Sequence, residues 1–175
     1  GQGNPNREVI RDGVTPPLGC TNPLDQFDTF TGSTRQTDWI GYTFTTHHRF
    51  SNLEFQEGIE SDSGGWFASL NVQVRVGGNW VDVQNLVTIP PYVPNNGESY
   101  ESYELGFDPV VGDGIRIVGT PGGTYTYISV AELQAMDDDL SLTGVSGTQQ
   151  IPNKYVLDQN YPNPFNPSTA IRYAI

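Results

Sequence analysis

Alternation of apolar and polar residues dominates the chain from about residue 39 to residue 135. Ile40, Tyr42 and Phe44, for example, alternate with small or polar neighbours. Successive side chains of a β-strand point to opposite faces, so this pattern predicts strands with one buried face. Similar short runs occupy 70–76, 80–83, 86–89, 103–107, 115–117 and 125–135. The sequence contains no convincing amphipathic helix.

Glycine-rich turns separate these runs. Gly77 and Gly78 lie between two of them and supply the positive φ angles of a tight hairpin. The 20 glycines and 13 prolines argue against an all-helical bundle, while a hydrophobic content of 35% and an aromatic content of 11% suffice for a core. Many short strands at regular spacing therefore predict an all-β fold, an antiparallel β-sandwich.

The last predicted strand contains a break in its alternation. Val130 belongs to one apolar face and Leu133 to the other, which predicts a β-bulge near Ala131. Counting by two from Val130 places Glu132 on the buried face, where a carboxylate needs a cation or hydrogen-bond donors. Alternatively, the bulge turns Glu132 back to solvent.

Charge and motif content exclude several classes of function. Eight basic residues against twenty acidic ones give a formal net charge of −12, and the arginines are scattered, so we expect no nucleic-acid partner. No run of 18 apolar residues occurs, so we expect no transmembrane segment. HExxH, G-x-S-x-G and P-loop motifs do not occur, and we expect the chain not to be an enzyme.

The predicted strands leave short and long connections that alternate along the chain. Successive connections of an antiparallel meander lie at opposite ends, so we expect the long ones to share one end. The short connections are 47–49, 77–79 and 108–113, and the long ones are 20–38, 57–65, 90–100 and 119–124. The long connections and adjacent strand ends present five candidate ligand-binding residues, Glu57, Trp66, Tyr92, Arg116 and Tyr125.

This combination of side chains suits a sugar ligand. Aromatic rings stack on the C–H faces of a sugar, and carboxylate and guanidinium groups bind its hydroxyls. The alternative is that part of the aromatic set caps the core.

A second candidate site is a structural metal site. Asp25, Asp28 and Thr31 place oxygen ligands in one loop, and Ca²⁺ prefers such ligands. Glu132 adds a further carboxylate if it is buried. The spacing of these residues does not match an EF-hand loop. The predicted Ca²⁺ site therefore rests on the ligand types and not on a known motif.

Residues 8–136 resemble galactose-binding-like discoidin (coagulation factor 5/8 type C) domains, which include many bacterial carbohydrate-binding modules. The resemblance rests on Asp38-Trp39-Ile40-Gly41-Tyr42-Thr43-Phe44, Phe55-Gln56-Glu57-Gly58, Gly64-Gly65-Trp66-Phe67, Val72-Gln73-Val74-Arg75, Trp80-Val81-Asp82-Val83, Gly112-Asp113-Gly114-Ile115-Arg116-Ile117 and Ile128-Ser129-Val130-Ala131-Glu132-Leu133. It implies a jelly-roll β-sandwich whose ligand is a sugar, a lipid or a protein. It also implies a Ca²⁺ site at Asp28, Thr31 and Glu132, with Asp25 and Asp12 as alternatives to Asp28.

The last 38 residues differ from the rest. Residues 138–153 are acidic and rich in Ser and Gly, which predicts a linker. Residues 154–175 resemble the opening of a type IX secretion C-terminal sorting domain (type A), on the run from Leu157 to Tyr173. Such domains are several dozen residues longer, so we expect a truncated second β domain here. The resemblance implies a type IX secretion machinery partner and a secreted or cell-surface bacterial product.

The sequence therefore predicts three parts: a β-sandwich binding domain over 1–137, a linker over 138–153 and part of a sorting domain over 154–175. The predicted function is that of a non-catalytic carbohydrate-binding module that binds a polysaccharide or other glycan. The alternative is an adhesion or surface-structural domain that recognises protein or self-associates. The sequence does not identify the glycan.

Overall fold

The computed structural model describes residues 4–137 and two short segments, 156–157 and 173–174. The chain divides into two units, residues 1–139 and residues 140–175. In the first unit the strands are β1 (Phe27–Asp28), β2 (Asp38–Glu57), β3 (Phe67–Val76), β4 (Asn79–Asp82), β5 (Val87–Ile89), β6 (Ser102–Pro121) and β7 (Ser129–Asp137). In the second unit β8 (Val156–Leu157) pairs antiparallel with β9 (Tyr173–Ala174). The predicted linker and the rest of the predicted sorting segment lie outside the described residues.

The long strands β2 and β6 organise the first unit. They are antiparallel along almost their whole length, from the Asp38–Gly119 pair to the Gln56–Ser102 pair. The register shifts between Thr43 and His48, and such irregularities bend and twist strands. Each long strand therefore supplies one half to each of two layers.

The first layer contains the N-terminal half of β2, the C-terminal half of β6, β3 and β4. The second layer contains β5, the N-terminal half of β6, the C-terminal half of β2, β7 and β1. All described pairings between these strands are antiparallel. The predicted all-β, antiparallel sandwich is confirmed.

The predicted connections at 47–49 and 108–113 are wrong, because β2 and β6 run through them without a turn. His48 stays in the strand and packs its ring 4.8 Å from that of Phe44. Gly112 allows close approach rather than a turn, since a Cβ there would lie 2.4 Å from the backbone oxygen of Arg75. The sequence pattern misled here because exposed strand positions and turns both favour small and polar residues.

The core lies between the two layers. Buried side chains of the first layer are Ile40, Val72, Val74, Ile115 and Ile117, and those of the second include Phe50, Leu53, Phe55, Tyr103, Leu105 and Leu133. They form one hydrophobic cluster. Residues between them in sequence point outward, as the alternation predicts.

The predicted bulge in β7 is confirmed. Glu132 pairs with Gln56, but Val130 pairs with Glu57, so the register skips Ala131. The strand begins at Ser129 and not at Tyr125, which lies in the preceding turn. The bulge lets both Val130 and Leu133 enter the core.

Helical structure in the described chain is limited to two short 3₁₀ helices, Arg7–Arg11 and Pro23–Asp25. Asn6 and Asn22 cap them by accepting backbone N–H bonds. No helix of the described chain is long and apolar enough to cross a membrane.

Candidate functional site

The four long connections meet at one end of the sandwich, as predicted. The hydrogen bonds that join them run from Thr29 N to Ile128 O (3.0 Å), from Thr124 N to Asp62 O (3.0 Å) and from Tyr100 N to Gly58 O (3.0 Å). Connections 20–38, 57–65, 90–100 and the turn before β7 are thus tied together.

A cavity of about 440 Å³ opens between three of these connections, and we call it the loop-end cavity. Its aromatic wall consists of Phe30, Tyr125 and Tyr127. The Phe30 ring lies edge-on to both tyrosines, with centroids 5.5 Å and 5.4 Å away. Such edge-to-face pairs are favourable, by about 0.5–1.5 kcal/mol each, so they stabilise the packing of the wall.

Polar groups lie next to this aromatic wall in the loop-end cavity. Ser61 Oγ and Ser63 Oγ lie 2.6 Å apart, and Ser63 Oγ lies 3.2 Å from the hydroxyl of Tyr127. Asp28 adds a carboxylate, whose Oδ1 accepts a hydrogen bond from the backbone N of Phe30 (3.1 Å). The cavity therefore offers apolar ring surface next to several hydrogen-bonding groups.

One of the predicted ligand-binding residues lines this cavity, and a second contacts a residue that lines it. Tyr125 lines it and is 50% exposed. Trp66 lies against its rim, because its indole Nε1 donates to the backbone oxygen of Ser61 (3.2 Å). Sequence reasoning missed Phe30, Tyr127 and the two serines, although Tyr127 is only two positions from Tyr125.

Glu57 and Tyr92 are not at the cavity surface. Glu57 is 1% exposed and accepts a hydrogen bond from the Tyr92 hydroxyl. That hydroxyl in turn accepts from the backbone N of Phe67 (3.0 Å). The pair thus joins the end of β2, the start of β3 and the 90–100 connection inside the protein.

Burial sets the protonation of this pair. It raises the pKa of Glu57 to about 8, and the nearby Glu60 and Glu101 raise that pKa further, while the Tyr92 hydrogen bond lowers it. Glu57 Oε2 has no hydrogen-bond partner among the described residues. A neutral carboxyl group is therefore the favoured state of Glu57 at neutral pH.

Arg116 also lies away from the loop-end cavity. It is five positions before the end of β6, about 16 Å along the strand at roughly 3.3 Å per residue. Its neighbours Ile115 and Ile117 face the core, so Arg116 lies on the outer face of the first layer. The five predicted ligand-binding residues therefore occupy three separate places.

Of the candidate metal ligands, only Asp28 and Thr31 line the same cavity. Asp28 lines the loop-end cavity, whereas Glu132 lines a different one beside Gln56. Asp25 accepts a long hydrogen bond from the thiol of Cys20 (3.9 Å). Among the described residues, no three carboxylate, histidine or cysteine side chains lie close enough to hold one metal ion.

A positively charged side chain, that of Arg35, already contacts Thr31. Arg35 donates to Thr31 Oγ1 (2.9 Å) and forms an ion pair with Asp38 (3.2 Å). A calcium ion at Thr31 would meet this guanidinium, and like charges repel at such distances. The residues therefore do not fit the Ca²⁺ site that the resemblance implies.

The sequence left open whether Glu132 is buried or is turned by the bulge to the solvent face. In the structure it lies on the outer face and is nevertheless buried. The bulge places it on the face opposite Leu133, yet it is only 3% exposed. Gln134 Nε2 donates to its Oε1 (3.2 Å), Gly13 lies beside it, and burial raises its pKa, while Oε2 has no hydrogen-bond partner among the described residues. The chain before β1 thus covers a carboxyl group that would otherwise face solvent.

This arrangement predicts that a chelator leaves the stability of the domain unchanged. An ion bound only to the folded state would raise the melting temperature, and chelation would then lower it by several degrees. We expect thermal melting in Ca²⁺ and in chelator to agree within about a degree, for the parent and for Asp28→Asn. A drop in chelator that Glu132→Gln abolishes would contradict this expectation.

Comparison with known proteins identifies similar folds. No protein-family model matches the chain, and no curated protein matches it significantly. A solved structure from the Streptococcus pneumoniae β-galactosidase BgaA has a TM-score of 0.59 at 18% identity, covering 73% of this chain and 83% of that one. The Clostridium perfringens module CpGH89CBM32-5, in complex with GalNAc-β-1,3-galactose, has a TM-score of 0.53 at 13% identity, covering 78% and 86%.

A third similar structure is CBM32-3 from a family 31 glycoside hydrolase of Clostridium perfringens, with a TM-score of 0.52 at 16% identity. The match covers 77% of this chain and 86% of that one. The chain thus has the galactose-binding-like β-sandwich fold of family 32 carbohydrate-binding modules (CBM32).

Proposed function

We propose that residues 1–137 form a non-catalytic carbohydrate-binding module whose ligand lies in the loop-end cavity. The observation that carries this proposal is the aromatic wall of Phe30, Tyr125 and Tyr127 beside the hydroxyls of Ser61 and Ser63. The cavity volume of about 440 Å³ lies within the range of about 300–1,000 Å³ typical of small-ligand sites.

The chemistry of the cavity suits a sugar better than a purely apolar ligand. The aromatic edges and faces give contact area for the C–H groups of a pyranose ring, on the order of 1 kcal/mol per ring. The serine hydroxyls and the Asp28 carboxylate can replace the water that sugar hydroxyls lose on binding. An apolar ligand would make no use of these polar groups.

The fold supports the same proposal. The neighbour CpGH89CBM32-5 was solved with GalNAc-β-1,3-galactose, and its sandwich covers most of this chain. At 13% identity this likeness concerns the fold, so the ligand must be tested on this chain directly. The same disaccharide is the logical first probe.

We expect Tyr125→Ala to weaken binding of GalNAc-β-1,3-galactose about tenfold, because the half-exposed ring loses its stacking contact. The measurement is isothermal titration of the folded parent and variant. Val111→Ala, at a 54% exposed position in β6, is the control and should bind as the parent does.

Equal affinity of Tyr125→Ala and the parent would refute the loop-end cavity as the site. If no neutral glycan binds and the protein self-associates with rising concentration, the adhesion alternative is the better description. Sedimentation velocity at several concentrations distinguishes the two.

We also propose that the chain is secreted or displayed on the bacterial cell surface through the type IX secretion machinery. The support is the resemblance of residues 154–175 to a sorting domain, which lies outside the described residues except for β8 and β9. Surface labelling of cells that express the protein with or without residues 154–175 tests the location.

A further inference from the structure

The outer face of the first layer carries a row of side chains that the loop-end cavity does not use. Gly41 in β2, Arg116 in β6, Gln73 in β3 and Asp82 in β4 lie side by side across four strands. Gly41 leaves room above the sheet, since a Cβ there would lie 2.5 Å from the Cβ of Arg116. The side chain of Arg116 can therefore lie flat on the sheet surface, across the neighbouring strands.

The guanidinium of Arg116 is held in place without a carboxylate. Its Nε and Nη2 both donate to Gln73 Oε1, at 2.9 Å and 2.6 Å. Gln73 is itself oriented, because its Nε2 donates to Asp82 Oδ1 (2.8 Å). The far end of the guanidinium, at Nη1, has no protein partner among the described residues.

Two tryptophans flank this guanidinium. Its central carbon lies 4.3 Å from the ring centroid of Trp80 and 5.5 Å from that of Trp39. Trp39 is 52% exposed, so its indole ring is accessible beside the guanidinium. We call Trp39, Arg116 and Trp80 the Trp–Arg face.

Arg116 differs from three other arginines of the domain. Arg11, Arg35 and Arg75 each form an ion pair with a carboxylate, to Glu8, Asp38 and Asp113 respectively. In a chain with a net charge of −12, acidic partners are abundant. A fixed arginine without one is complementary to an anion supplied from outside.

We propose that the Trp–Arg face is a second binding site that takes a uronate residue of an acidic polysaccharide. The uronate carboxylate accepts hydrogen bonds from the free end of the Arg116 guanidinium, and the sugar ring packs on the exposed indole of Trp39. Because Trp39 is half-exposed on this face, the polysaccharide can extend in both directions from the bound uronate residue. The proposal rests on the proposed function only in taking a saccharide as the ligand.

The surrounding charges favour a uronate over a denser polyanion. Asp82 lies beside the Trp–Arg face through its hydrogen bond with Gln73, and together with the net charge of −12 it repels closely spaced phosphates or sulfates. A uronate chain carries one carboxylate per sugar, separated by ring surface that the indoles can contact. A single arginine matches one such group.

The test is a titration with tri-galacturonate and with its neutral methyl ester, followed by isothermal calorimetry and by the indole N–H signals in NMR. The three tryptophans report on two places: Trp39 and Trp80 on the Trp–Arg face, and Trp66 on the rim of the loop-end cavity. We expect the acid to shift the Trp39 and Trp80 signals and to bind at least about tenfold more tightly than the ester.

The decisive variants are Arg116→Gln and Arg116→Lys, compared with Arg75→Gln. The control removes the same charge from the same layer, but from an arginine that Asp113 already neutralises (2.7 Å). We expect both Arg116 variants to lose at least about tenfold in affinity for the acid, because lysine keeps the charge without the planar fork. Arg75→Gln should change that affinity less than about twofold.

Equal binding of acid and ester, or equal losses in Arg116→Gln and Arg75→Gln, would overturn the proposal. So would a shift of the Trp66 signal alone. Failure of the proposed function looks different, since the neutral disaccharide would then bind nowhere while the acid still shifted Trp39 and Trp80. Concentration-dependent shifts of Trp39 and Trp80 without any sugar would show self-association instead and would also overturn the proposal.

Discussion

Replacing Glu57 by glutamine is expected to raise the free energy of unfolding by about 4–5 kcal/mol above pH 8 and to leave it nearly unchanged at pH 4. Burial raises the pKa of Glu57 from about 4.5 to about 8. The folded state then holds its proton more tightly than the unfolded state does. The parent is therefore fully stabilised below pH 4.5 and loses stability as the pH rises towards 8, at about 1.4 kcal/mol per pKa unit.

Glutamine removes this loss, because it does not ionise and can still accept the Tyr92 hydrogen bond. The measurement is urea unfolding of parent and variant from pH 4 to pH 9. Glu54→Gln, at an exposed position of the same strand, is the control and should not alter the pH dependence. A stability difference between Glu57→Gln and the parent that is the same at every pH would contradict the expected protonation.

The second large effect is expected for Gly65→Ala, which should cost at least about 3 kcal/mol of unfolding free energy. Gly65 has a φ of +109° and a Cβ there would lie 2.1 Å from the backbone oxygen of Ile59. Its backbone also joins two connections, donating to Tyr127 O (2.8 Å) and accepting from Ser129 N (3.2 Å). Alanine can fit only if these bonds and the loop end rearrange.

Gly77→Ala separates the close contact from the cost of a positive φ. Gly77 has a φ of +57°, but a Cβ there meets no atom within 4 Å. We expect a loss of about 1 kcal/mol at this hairpin and unaltered binding of the neutral disaccharide. Equal losses for the two substitutions in chemical unfolding would show that Gly65 is needed only for its φ angle.

Much of the sandwich could be predicted because its alternation is local. Ile40, Val72 and Leu105 each belong to a run of period two, and the bulge at Ala131 left a visible break in such a run. The bends in β2 and β6 were missed because they involve no turn. Whether an exposed polar stretch is a turn or a strand depends on the partner strand, which local pattern does not reveal.

The candidate site was harder to predict, since it depends on what covers each residue. Glu57 ends a strand as expected, but Tyr92 reaches it from 35 positions away and closes it off. Arg116 was assigned to the long-connection end because 115–117 was expected to be a short strand beside 119–124, whereas β6 continues to Pro121. Tyr125 lines the loop-end cavity and is exposed, but it does so from the turn before β7 and not from the strand that the alternation predicted.

The pairing of β2 with β6 also has a consequence for the rate of folding. Their paired residues are roughly 45 to 80 positions apart in sequence, so neither layer can form from neighbouring segments alone. Conformational entropy must be lost to close this large loop before the first contacts between β2 and β6 can stabilise the pair. We therefore expect folding on the timescale of milliseconds to seconds. Substitutions in the β2–β6 pair should slow folding more than substitutions in the β3–β4 hairpin.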